Sequence, residues 1–172
     1  MVAPGDSPEG KGDCAPFLNE SPSLNNVPAE MGAWFKSVRE LLLAGHIVEL
    51  APRGYSMWPT LSPDTDTIYL KQAKHYRPSD IVLASSTRPR GIFLHRIVSM
   101  RPDGAILMGD SNLYQTEICT SDEIIGKVVG ITRHGREVSA SPIHRLLTLI
   151  HRLPRPLRRV AIRIMNLRKK GI

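Results

Sequence analysis

Apolar side chains recur at helical spacing near both ends of the chain and in short strand-like runs between them. From 31 to 45, Met31, Trp34, Phe35, Val38, Leu41 and Leu42 share one side of a 3.6-residue repeat, Lys36, Arg39 and Glu40 interrupt it, and Gly45 follows. That spacing predicts an amphipathic helix stopped by a glycine. Past residue 46 the period shortens. Runs at 47–50, 67–72, 81–85, 92–100, 105–108 and 126–132 are rich in Ile, Val and Leu. Turn residues separate them: Pro63-Asp64, Arg77-Pro78-Ser79-Asp80, Arg88-Pro89-Arg90-Gly91, Arg101-Pro102-Asp103-Gly104 and His134-Gly135. Short strands joined by tight turns predict a mostly β domain, built as a curled antiparallel sheet or partial barrel.

Helical spacing returns after residue 140. Ser141-Pro142 suits a helix start, and Ile143, Leu146, Leu147 and Ile150 form one stripe. Pro154 and Pro156 interrupt it, and Leu157, Val160, Ala161, Ile164 and Leu167 form a second stripe, with Arg152, Arg155, Arg158, Arg159, Arg163 and Arg168 on the other faces. Two readings stay open for this basic amphipathic tail: helices lying in a membrane interface, or helices docked on the sheet with a solvated arginine face. The first thirty residues, rich in Pro, Ser and Asn and without periodicity, are expected to be a disordered arm. The expected organisation is thus an arm over 1–30, a β domain with its leading helix over 31–140, and a basic helical tail over 141–172.

Composition narrows the function classes. With 172 residues and 41% hydrophobic content the chain has material for one domain with a real core. Aromatics make up only 5%, which argues against a nucleic-acid stacking platform. No apolar run approaches the roughly 20 residues of a spanning helix, and the acidic start does not look like a secretory signal, so a cytoplasmic protein, peripheral to a membrane at most, is expected. Cys14 and Cys119 lie too far apart for a disulfide scaffold or a cysteine zinc site, and they fit a reducing compartment. The net charge of +7 is uneven: residues 133–172 hold eleven Lys/Arg against one acid, whereas residues 1–30 hold one Lys against five acids. The positive field therefore belongs to the tail, and an anionic membrane surface or a nucleic acid is a candidate to meet it.

Three segments carry candidate chemistry: Gly54-Tyr55-Ser56-Met57-Trp58-Pro59-Thr60-Leu61 after one strand, Leu94-His95-Arg96-Ile97-Val98 inside another, and Gly109-Asp110-Ser111-Asn112 after a third. A serine hydroxyl needs a neighbouring base to become a nucleophile, and histidine suits that task near neutral pH. Alternation along a strand puts Phe93, His95 and Ile97 on one face, with Leu94, Arg96 and Val98 opposite. Asp110 is the expected partner for the second imidazole nitrogen, fixing the tautomer. The Ser56 N–H is the expected oxyanion donor. Lys71 and Lys74 read as surface lysines, Asp64 and Asp66 as turn residues, and Trp58 either as lining for a substrate groove or as packing. The remaining histidines show no metal-ligand spacing, so no metal or cofactor is expected.

In their order and context these blocks, with Ser79-Asp80-Ile81-Val82 and Ile125-Gly126-Lys127-Val128-Val129, resemble the signal peptidase family of serine proteases, in particular the branch that uses histidine where others use lysine. The match runs from about Arg53 to Gly130. It implies a serine endopeptidase on a curled β domain, cleaving an extended peptide or precursor, with Ser56 as nucleophile, His95 as base and Asp110 as supporting acid. The sequence departs from the family pattern in four places, one of them Ser79-Asp80 where Gly-Asp is common, with Asp80 read as a turn and strand-start residue and not as a catalyst. The transmembrane anchor that usually opens the family is not expected here, and the basic tail is a candidate substitute. Tyr55 precedes the serine where glycine is common. Gly54 stands where some relatives carry an extra hydroxyl donor. Two alternatives remain: a non-catalytic peptide-binding or membrane-associated module on the same fold, and a regulator related to self-cleaving repressors, for which residues 1–45 offer only one helix.

Overall fold

The computed structural model describes residues 29–87, 89–112, 114–138, 146, 149–150 and 153–169. The arm expected over 1–30 falls outside them except for its last two residues, as does most of 139–152. Helix α1 spans Ala29–Leu43. Gly45, at φ +88°, ends it, and the N–H groups of Gly45 and His46 bond back to the carbonyls of Leu42 and Leu41 at 3.0 and 3.1 Å. A left-handed residue at this position is the stop that glycine accepts without a Cβ clash.

Among the described residues eight strands follow: β1 Val48–Leu50, β2 Asp66–Lys71, β3 Ile81–Thr87, β4 Arg90–Arg101, β5 Gly104–Met108, β6 Glu117–Thr120, β7 Ile124–Arg133 and β8 Arg136–Glu137. A second helix, α2, spans Arg155–Lys169. All strand pairings are antiparallel, in the order β1-β2-β7-β3-β4-β5-β6, with β8 on β7. The sheet is open, since no pairing joins β6 to β1. It curls nonetheless: the Ser86 hydroxyl on β3 donates to the Ile118 carbonyl on β6 at 2.7 Å, two strands away from its own ladder neighbour β4. Strand β7 joins the two halves, pairing with β3 near its start and with β2 along the rest.

The period-2 rule places the core on both sides of β3. Ile81 and Leu83 face one cluster, with Val38 and Leu42 from α1, Met57 and Leu61 from the turn after β1, and Ile68, Leu70 and Ile125 from the sheet. Val82 and Ala84 face the other, inside the curl, with Ile97, Ala105, Leu107, Cys119 and Ile124. Gly126 on β7 lets α1 close down, because a Cβ there would meet the Leu42 side chain at 2.9 Å. Replacing the fully buried Leu42 by Ala is worth about 2 to 5 kcal/mol. At the far end of the β2/β7 rung, Arg133 makes a two-pronged bond to its cross-strand partner Asp66, both contacts at 2.7 Å. Burial pushes the Asp66 carboxyl up, but the bonds from Arg133, from the Ser62 N–H and from Thr65 outweigh it and hold the group below the usual carboxylate range. Among the described residues no helix is long and apolar enough to cross a membrane.

Candidate active site

His95 sits at the middle of β4, opposite Val82 on β3, and points into the curl with Ile97. The Phe93 ring, two residues back on the same face, lies 5.5 Å from the imidazole centroid to centroid. Ser56 lies in the turn region that leads from β1 towards β2 and is only partly buried. Its Oγ lies 3.0 Å from His95 Nε2 although 39 positions separate the two residues. On the other side of the ring, Nδ1 lies 2.7 Å from Glu117 Oε2. A carboxylate only accepts, so Nδ1–H donates to Glu117, and the lone pair of Nε2 faces the serine hydroxyl. That is the tautomer a general base requires.

The acid in this row is a correction to the sequence expectation. Asp110 does not reach His95. It lies on the opposite side of β4, where Arg96 grips it through Nε and Nη2 at 2.7 Å each. Thr60 donates its hydroxyl to the same carboxylate. The rest of the Arg96 guanidinium bonds the Ser79 carbonyl at 2.9 Å and the Thr60 hydroxyl at 3.2 Å. Arg96 and Asp110 are both essentially inaccessible, so this is a buried ion pair tying the Ser56 turn, through Thr60, to β4 and to the loop after β5. Ser111, next to Asp110, completes the tie: its N–H donates to the Ser56 carbonyl at 2.9 Å and its hydroxyl to the Tyr55 carbonyl at 2.8 Å. The Asp110 segment therefore positions the nucleophile from behind instead of orienting the base.

Glu117 was not among the expected site residues. It opens β6, where alternation puts Glu117 and Cys119 inward and Ile118 and Thr120 outward. Inward at this register means towards His95, and the carboxylate is fully buried. Its second oxygen, Oε1, has no hydrogen-bond partner among the described residues. A buried acceptor without a partner ordinarily costs about 1 to 3 kcal/mol. Cys119, two residues along the same face, has its thiol pushed up to about 11 by burial, with Glu123 and Glu117 adding to the shift. It is an inert core residue.

Gly109 shows how tightly the loop after β5 approaches the site. A Cβ there would stand 2.6 Å from the Ser56 carbonyl oxygen, 2.9 Å from Asn112 Nδ2 and 3.0 Å from His95 Nε2. Only a residue without a side chain leaves the serine–imidazole contact intact. Asp80 caps its own turn, accepting from the Arg77 N–H at 3.0 Å, and Asp64 accepts from the Tyr55 hydroxyl at 2.8 Å. That bond and the carboxylate charge raise the Tyr55 phenol above its ordinary value. Comparison with protein-family models, with curated proteins and with solved structures finds no match for this chain.

Proposed function

We propose that this protein is a serine endopeptidase of the signal peptidase type, in which Ser56 is the nucleophile, His95 the general base and Glu117 the acid that orients it. The observation that carries the reading is the unbroken row Ser56 Oγ, His95 Nε2, His95 Nδ1, Glu117 Oε2, with contacts of 3.0 and 2.7 Å. Two features beyond the distances support it. The serine is reachable while the ring and the carboxylate are buried, which is the order hydrolysis needs. Among the described residues the ring is the only hydrogen-bond partner of the Glu117 carboxylate.

In this mechanism the Ser56 oxygen attacks the scissile carbonyl carbon as Nε2 takes its proton. The Ser56 N–H, in a turn and not in a ladder, is the candidate donor to the oxyanion that forms. The imidazolium passes its proton to the departing amine, and water, deprotonated by the same nitrogen, releases the acyl group. An extended peptide suits the approach. Strand β1 has one unpaired edge, and the chain runs directly from it through Arg53 to Ser56. A strand added along that edge is carried towards the nucleophile.

The test is incubation with a mixture of extended peptides, read by mass spectrometry. Ser56→Ala and His95→Ala should remain folded and lose cleavage by at least about 10²-fold, the lower end of what a general base contributes. Cleavage by both variants at the parent rate would overturn the reading.

A further inference from the structure

Helix α2 is attached to the protein by one side and leaves another uncovered. Ile162 is fully buried and packs with Ile150, with Ala161 partly buried beside them. Leu157, Val160 and Ile164, at the i, i+3, i+7 spacing of a single stripe, are instead 57%, 56% and 55% exposed. Leu146 and Leu149, in the helical residues before α2, are more than half exposed as well. Five aliphatic side chains left in water on one short stretch of chain need a partner. The surrounding charge says which. Arg159 and Arg163 are exposed on α2, and from Val138 to Ile172 the chain contains no Asp or Glu.

We infer that the uncovered face of α2 is a docking surface for an anionic lipid bilayer. An aliphatic stripe bordered by arginines meets acyl chains with the first and headgroup phosphates with the second. A nucleic acid would satisfy the arginines and leave the aliphatic groups in water. The helix is also tied to the part of the molecule that carries the serine site. The Arg159 guanidinium stacks 4.5 Å over the ring of Tyr114, which lies between Asn112 and Glu117 in the chain. The inference concerns binding and stands apart from the peptidase reading, because the Ser56→Ala protein should bind lipid as the parent does.

The experiment is cosedimentation of the full chain with vesicles of phosphatidylcholine alone or mixed with phosphatidylserine. Binding should appear only with phosphatidylserine and weaken as salt rises, measurements that need no variant. Arg163→Gln should lower partitioning about fivefold. Changing Leu157, Val160 and Ile164 together to Gln should lower it at least about tenfold, and these exposed positions leave the core untouched. Three outcomes would overturn the inference: equal binding by the triple variant, a parent that ignores vesicles but binds duplex DNA, or a parent that ignores vesicles and forms a dimer which the triple substitution dissolves.

Discussion

Two polar clusters straddle β4, one on each face, and they are built from matching parts. Each takes a hydroxyl from the turn region after β1, a base from neighbouring positions on β4, and a carboxylate from the β5–β6 region: Ser56, His95 and Glu117 on one side, Thr60, Arg96 and Asp110 on the other. They differ in saturation. The Arg96 cluster is closed, its guanidinium and carboxylate locked in paired bonds and shut off from water. The His95 cluster is open at both ends, with a partly exposed serine and a carboxylate oxygen that no group among the described residues satisfies. A closed polar network holds a shape, and an open one retains capacity to take up a proton or a substrate.

The comparison makes opposite forecasts for the two acids. Glu117→Gln replaces an acceptor by an amide whose N–H2 favours the wrong imidazole tautomer. It should cut turnover by about 10² to 10⁴ while the melting point hardly moves. Asp110→Asn strands a buried guanidinium and should cost about 3 to 5 kcal/mol in a denaturant titration, with activity lost only as the fold is lost. If the Asp110 variant melts like the parent but is inactive, or the Glu117 variant unfolds, the division between the clusters is wrong. Gly109→Ala touches the seam between them. By pushing the Ser56 backbone and His95 apart it should lower turnover about tenfold to a hundredfold, with a smaller effect on KM, measurable by steady-state kinetics.

The smallest expected effect comes from a third pair, remote from both clusters. Because Asp66 has its carboxyl held below the ordinary range, the unfolded chain binds that proton at higher pH than the folded one. The stabilisation is complete above the unfolded carboxylate value of about 4 and is lost as pH falls through the lowered folded value. Acid unfolding followed by circular dichroism should be less steep there in Asp66→Asn.

Much of the scaffold was legible in advance because its elements obey local rules. The strand expected at 81–85 appears as Ile81–Thr87 and that at 92–100 as Arg90–Arg101, since β-branched runs between turn residues have few other solutions. Alternation alone put His95 on the face with Phe93 and Ile97. What escaped were two short edge strands, β6 and β8, and the first of them carried the acid. Strand β6 is only four residues long and exists because β5 pairs with it, through Ala105 with Cys119 and Leu107 with Glu117. A glutamate at the head of a buried strand also contradicts the rule that carboxylates face water, so pattern reasoning passes over it. The available signal was Cys119: a residue type that favours burial fixes the inward face of β6, and Glu117 shares it. Asp110, by contrast, stood where the motif pointed, but Arg96, one residue from the base, claimed it.

His95 and Arg96 are consecutive, so a strand's alternation hands one to each cluster. Were β4 to slip by a single position against β3 and β5, the guanidinium would turn to the serine and the imidazole to Asp110. The serine and the imidazole would then stand on opposite faces of β4, and chains assembled out of frame would lack the proton acceptor that Ser56 needs. The dipeptide thus makes the frame of one strand a condition of the chemistry.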